Sequence, residues 1–325
     1  MRSAVHTVYG DPAEVLHLAD MPKPEPGPKQ VRVRTVLAAI HNHDLWTVRG
    51  GYGYKPPLPA IAGSEAVGIV DALGEGVDEK LLGKRVASAS VRGAWAEYFV
   101  APAAGLLPVP DAINDEAAAQ LIAMPFSAIM LLDYLNVQPG DWIAQNTANG
   151  AVGKMVAALA QSRGVNAINL VRRDEGVAEL SALGIANAVS TAEPGWKKKV
   201  RALVGEAPLK AGVDSIGGTA TQDMAEILSE NGLLVSFGSM TGEPMQVSSG
   251  TMIFKQLTLK GFWLTPISAA MAPEKRQGLM GELLKHVIGG TLKLSTEAII
   301  DLADIKQAVS RSLTPGRTGK VLLRP

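Results

Sequence analysis

An apolar run, Trp142–Asn146, passes straight into Thr147, Ala148, Asn149, Gly150, Ala151, Val152 and Gly153, and from there into an amphipathic stretch ending at Ser162. No other segment limits the possible folds as strongly. Strand, small-residue turn and helix in that order begin a crossover between parallel strands. The pattern recurs in kind. Further apolar runs at Ala167–Val171, Val213–Ile216, Leu233–Phe237 and Leu257–Phe262 alternate with helical stretches at Gly176–Ala182, Trp196–Val204 and Thr221–Leu228. Strands this apolar, separated by helices, predict a doubly wound α/β sheet buried on both faces.

The turn fits Ala148-x-Gly150-x-x-Gly153, a dinucleotide-binding fingerprint with alanine in place of its first glycine. Gly150 lets the backbone approach a pyrophosphate, helped by the free N–H groups of Asn149, Ala151 and Val152 at the helix start; Gly153 allows close helix–strand contact. The next strand ends in Arg172-Arg173 instead of the carboxylate that would accept the ribose hydroxyls of NAD. Guanidinium groups suit a ribose phosphate, so NADPH is the expected cofactor; the competing reading is two solvated surface arginines. Gly217 and the group Phe237, Gly238 and Met240 follow two further strands, where small residues leave room for a nicotinamide ring.

The first hundred residues have a different texture. Gln30–Ile40, Ala62–Leu73, Gly83–Ala89 and Trp95–Val100 read as strands in a glycine-dense, barrel-like β region. Asp115–Leu135 reads as helix, kinked or divided at Pro125. The tail holds helical stretches at Lys275–Ile288 and Ile299–Ser310 and a closing strand, Gly319–Leu323. It is too small for a core of its own, and is expected to return to the first domain. The expected division is 1–111, a first part of a catalytic domain, 112–265, an inserted nucleotide-binding domain, and 266–325, the returning segment, with a cleft between the two bodies.

The 325 residues carry 31 basic and 31 acidic side chains, so charge supplies no drive toward nucleic acid or anionic lipid. Cysteine is absent, which excludes disulfides, thiolate nucleophiles and cysteine-held metals. The opening MRSAVHTVYG lacks an apolar stretch of signal-peptide length, and no window approaches a membrane span. From this a soluble, cytoplasmic protein is expected.

Several stretches together resemble one family: Arg49–Gly53 with Pro56–Pro59, Ala62–Gly68, Gln145–Gly153, Asn169–Arg173, Ile253–Leu264 and Gly319–Leu323. The chain is similar to the zinc-independent medium-chain dehydrogenase/reductases, most of all to mitochondrial-type 2-enoyl thioester reductases and the related quinone oxidoreductases. The resemblance implies a GroES-like β-barrel catalytic domain with an inserted Rossmann domain, and a homodimer formed through the Rossmann sheet edges. It also implies loss of the metals. Zinc-using relatives have two cysteines and a histidine where this chain has His41, Ser64 and Met124, a donor set too weak for zinc.

For the enoyl reductases the resemblance implies NADPH-dependent reduction of a C=C bond, in an enoyl-CoA or an acyl-carrier thioester, with Tyr52 as the catalytic tyrosine and Tyr54 a bystander. Trp263 and Phe262, at the end of the last sheet strand, would form part of an acyl-chain wall or of a dimer edge, although core packing explains Phe262 equally well. Where zinc-free relatives carry asparagine, this chain has His41. Two readings stand for it: a proton source near the nicotinamide, or a structural histidine satisfied by a neighbour. His43 carries no motif and is assigned no chemistry. Two other functions fit the same features, a zinc-free quinone oxidoreductase and an NADPH-binding structural or regulatory protein without turnover.

Overall fold

The computed structural model describes residues 1–89 and 91–325. The chain forms two compact units, Met1–Ala123 with Val287–Pro325, and Met124–His286.

The second unit is built on a six-stranded parallel sheet in the order Ala188–Ser190, Asn166–Val171, Trp142–Gln145, Leu209–Asp214, Leu233–Ser236 and Thr258–Gly261. The chain starts in the middle, moves outward through two strands, then jumps back across its starting strand. Strand order therefore reverses between Trp142–Gln145 and Leu209–Asp214, and in open α/β sheets such a reversal leaves a crevice at the carboxyl ends. Ala144, Ile168, Leu170, Val189, Leu209 and Leu234 are buried from the sheet against Val200, Met224 and Ala225 of the helices. Burial of this kind fits strands that read as continuous apolar runs.

Three sequence expectations shift here. The fourth strand runs over Leu209–Asp214, not Val213–Ile216. Its beginning was hidden by Lys210, whose ammonium reaches out to Asp141 at 2.6 Å. The three-residue edge strand Ala188–Ser190 and the short helix Ser249–Lys255 were not anticipated. Asp115–Leu135 is divided as expected, into helices Asp115–Ala118 and Ala123–Tyr134, with Pro125 in the first turn of the second.

The first unit is antiparallel apart from one pair. Its larger sheet runs Thr296–Asp301, Lys320–Arg324, Gln30–Ala39, Glu65–Leu73, Arg85–Ala89, Leu107–Pro108, and Tyr98–Pro102 also pairs with Gln30–Ala39. A second sheet joins His17–Asp20, Arg2–His6 and Ala60–Ile61. Val31, Val33, Trp95, Phe99, Val321 and Leu323 form its buried centre. The returning tail is thus woven in as a strand: Leu322 and Leu323 face Ala39 and Ala38. Ile299–Ser310, read as helix, is instead the strand Thr296–Asp301 followed by helix Ile305–Leu313. Parallel pairing with Lys320–Arg324 overrides local preference there.

Candidate functional site

In the first unit the long strand Gln30–Ala39 delivers the chain to His41, which opens the helix Asn42–Val48. The Asp44 carboxylate accepts the His41 backbone N–H at 3.0 Å, closing the helix start. Glu65 begins the neighbouring strand, just after Gly63. Gly63 has φ +94°, and a Cβ there would lie 2.2 Å from the Trp95 indole, so only glycine lets the strand start this close to the core.

His41 and Glu65 meet in that core with Nε2 and Oε2 2.6 Å apart, both side chains fully buried. The other Glu65 oxygen accepts the Ile122 N–H at 2.5 Å. Burial pushes the Glu65 carboxyl up to about 7, against the lowering effect of the Ile122 and Ala123 N–H groups. Burial, with Lys320 nearby, holds His41 well below the usual histidine range. The same desolvation, helped by Arg317, lowers Lys320 to about 8 while Asp44 and Glu65 pull it back. Burial thus disfavours the charged form of His41, whose imidazole is tied to a buried carboxyl group and has no surface of its own to offer an acceptor.

The residue on the open side is His43, set aside in the sequence. Its Nε2 lies 2.7 Å from Ser64 Oγ. Its ring stacks on that of His41 at 5.2 Å and 11°, and stands 5.7 Å from the ring of Tyr52, tilted by 31°. Tyr52 is half-buried in the loop after the helix, and among the described residues its hydroxyl forms no hydrogen bond. Tyr9 braces the far side of that loop through Pro56 O at 2.5 Å. Tyr54 is engaged differently, with the Arg92 guanidinium 4.1 Å above its ring. Ser64 Oγ and His41 Nε2 are both engaged in these bonds, while the buried His41 Nδ1 has no hydrogen-bond partner among the described residues. Among the described residues no group of three His, Cys, Asp or Glu side chains is placed to hold a metal.

In the second unit the fingerprint residues sit at the carboxyl end of Trp142–Gln145. Gly150 caps the helix Ala151–Ser162 without a side-chain hydrogen bond, leaving the first N–H groups free for an anion. A Cβ on Gly153 would fall 2.7 Å from the Ala148 backbone and the Thr147 carbonyl, which is the close packing expected of that glycine. Asn149 and Lys154 both bond Glu179, at 3.2 and 2.6 Å. Arg172 and Arg173 follow the buried Val171, exposed and without an ion pair among the described residues.

Asp214, buried at the reversal point, organises the neighbouring turn. It accepts Asn146 Nδ2 at 2.7 Å, the Ile216 and Gly217 N–H groups at 2.9 and 3.3 Å, and the Thr221 hydroxyl at 2.6 Å. Its own carbonyl accepts the N–H groups of Phe237 and Gly238. The sequence singled out Gly217, Phe237 and Gly238 but not Asp214, whose carboxylate and backbone carbonyl join them. A cradle of free helix N–H groups, a glycine no side chain could replace and two uncommitted guanidinium groups fit a phosphorylated dinucleotide. Phe262 is buried between Phe237 and Tyr134, at ring distances of 5.8 and 5.5 Å. Trp263 is 46% exposed and Met240 66% exposed.

Residues 27–111 match the alcohol dehydrogenase GroES-like domain family, and residues 151–278 the zinc-binding dehydrogenase family. The mitochondrial enoyl-[acyl-carrier-protein] reductase of Arabidopsis thaliana is 33% identical over 98% of this chain and 86% of its own length. A putative NADPH:quinone reductase from Bacillus thuringiensis superposes with a TM-score of 0.92 at 30% identity, covering 100% of this chain and 98% of that one. A mycobacterial protein solved with NADPH gives a TM-score of 0.89 at 27% identity, with full coverage of both.

The cytoplasmic expectation is corrected by these relatives, since the matching curated enoyl reductases from plant to human are mitochondrial proteins. Among the described residues no helix is long and apolar enough to cross a membrane. The chain belongs to the zinc-independent medium-chain dehydrogenase/reductases, a family of oxidoreductases in which it is related to the mitochondrial enoyl-[acyl-carrier-protein] reductases and the quinone oxidoreductases.

Proposed function

We propose that the protein reduces the C=C bond of a 2-enoyl thioester with NADPH, and that the Tyr52 hydroxyl acts on the acceptor. The observation that carries this reading is the state of Tyr52: a phenol hydroxyl that forms no hydrogen bond among the described residues, with its ring beside that of His43. When bound, NADPH supplies the hydride that reaches the β-carbon. The chain's own task is to bind, orient and stabilise charge. Hydride addition drives negative charge onto the thioester oxygen, and a phenol donates a hydrogen bond to it without itself being ionised. The α-carbon then takes a proton, relayed from water through the same hydroxyl. Mitochondrial location, shared by the enoyl reductase relatives, accompanies this assignment.

The free N–H groups of Ala151 and Val152 at the helix start, which Gly150 lets the ligand approach, hold the pyrophosphate, and Arg172 and Arg173 hold the ribose phosphate. Converting both arginines to alanine is expected to weaken NADPH binding roughly 10- to 100-fold. NADH binding should hardly change. Fluorescence titration of both cofactors measures this, and equal losses for the two would remove the arginines from phosphate recognition. A homodimer belongs to the same reading. Thr258–Gly261 is the outermost strand of its sheet, and Ile253 and Phe254 just before it are 65% and 82% exposed, so a second copy paired along that edge would cover them.

Quinone reduction is the second reading, favoured by the likeness to the Bacillus thuringiensis protein. Side-by-side turnover of crotonyl thioester and a simple benzoquinone, each with NADPH, separates the two. Preference for the thioester supports the proposal; brisk quinone turnover with none on any enoyl thioester replaces it.

A further inference from the structure

We infer that His43, locked by Ser64, is the positioning residue that aims the Tyr52 hydroxyl at the acceptor. The inference rests on the enoyl reductase reading of Tyr52 given above. Tyr52 lies in a loop rich in glycine: Gly50 has φ +75°, and Gly51 and Gly53 flank the tyrosine. Such a loop does little to orient a phenol. Its hydroxyl has no partner among the described residues, so the ring is steadied by what it packs against, and the ring beside it is His43.

His43 is itself well held. It lies in the first turn of a helix whose start is closed by Asp44. Its Nε2 is 2.7 Å from Ser64 Oγ, which fixes rotation about the ring axis, and Asp44 Oδ1 stands further off at 3.6 Å. The stack on His41 fixes the plane, and His41 in turn is anchored to Glu65. Rigidity thus passes outward from a fully buried pair, through an imidazole about one fifth exposed, to a phenol at the surface of the loop. A displacement of about 1 Å at a reacting group can lower turnover on the order of a hundredfold, so a support of this kind has catalytic consequences without touching the acceptor.

The test is a double-mutant cycle on the intact enzyme, reading kcat with crotonyl thioester and the NADPH dissociation constant. His43→Ala should lower kcat by roughly tenfold or more and leave NADPH affinity unchanged. In a Tyr52→Phe background the same change should cost less than about twofold, because there is no hydroxyl left to aim. Ser64→Ala should behave alike with a smaller effect, and His43→Phe, which keeps a flat ring, should recover part of the loss. Equal losses in both backgrounds would make His43 a general structural residue and overturn the inference. So would a parental rate for His43→Ala alongside a slow Tyr52→Phe. Should His43→Ala fail to fold, the Ser64→Ala pair of backgrounds decides by the same criterion. If Tyr52→Phe itself runs at the parental rate, the role of Tyr52 fails first and this inference falls with it.

Discussion

Replacing Tyr52 by phenylalanine is expected to lower turnover of a 2-enoyl thioester by roughly ten- to a thousandfold, with NADPH affinity close to that of the parent. The substitution keeps the ring and its contact with His43 and removes one oxygen. If that oxygen donates to the thioester only as negative charge develops there, the loss falls on kcat and leaves ground-state binding nearly intact. Tyr54→Phe is the matched control. Its ring lies under Arg92, a contact phenylalanine retains, so its effect should be slight. Steady-state kinetics on crotonyl thioester with both variants decides the matter, and a parental rate for Tyr52→Phe would take away the tyrosine's role.

The second large effect concerns stability. Glu65→Ala should destabilise the protein by about 3–5 kcal/mol, because it leaves the His41 imidazole without its partner and the Ile122 N–H without an acceptor in a buried place. The melting temperature should fall by roughly 10 °C. Glu65→Gln keeps an acceptor for Ile122 and should cost less.

The pH dependence has a definite sign. Glu65 is raised from 4.5 to about 7 in the folded protein, so its contribution is fully present below pH 4.5 and is lost as pH rises toward 7. Lys320 is lowered from 10.5 to about 8, and its penalty is relieved as pH rises from 8 to 10.5. Urea unfolding of the parent and of Glu65→Gln at pH 5 and pH 7.5 isolates the carboxyl group. The parent's advantage over the glutamine variant should shrink at the higher pH, and an unchanged difference would contradict a raised Glu65.

The second unit was legible because its signals are local. An apolar strand, a small-residue turn and a helix follow one another between Trp142 and Ser162, around Gly150, and the unit repeats. Where a polar residue broke the pattern, as Lys210 does, the strand was misplaced. Where a partner strand decides the conformation, as at Thr296–Asp301, local preference misled. The candidate site divides in the same way. Tyr52 stands out in its glycine-rich loop, and Arg172 and Arg173 stand out at a strand end. Glu65, Lys320 and Asp214 do not, since each acquires its meaning from a residue far along the chain. His43 was passed over because an imidazole with no motif is silent until the fold sets it between Ser64, His41 and a phenol. Asp44, three residues after His41, is by contrast an ordinary helix-start signal that the sequence carries.

The strand Lys320–Arg324, inserted between Thr296–Asp301 and Gln30–Ala39, bears on how the protein is made. A ribosome delivers all of Met124–His286 before it delivers that strand. At roughly 5–20 residues per second, the interval is on the order of tens of seconds. Through that time the nascent first unit carries an unpaired edge at Ala38 and Ala39, open to pairing with another chain. The unit whose residues are translated first is therefore the last to close. A stop codon directly after Gly319 would leave that edge open for good and remove the Lys320 cation from beside Glu65 as well.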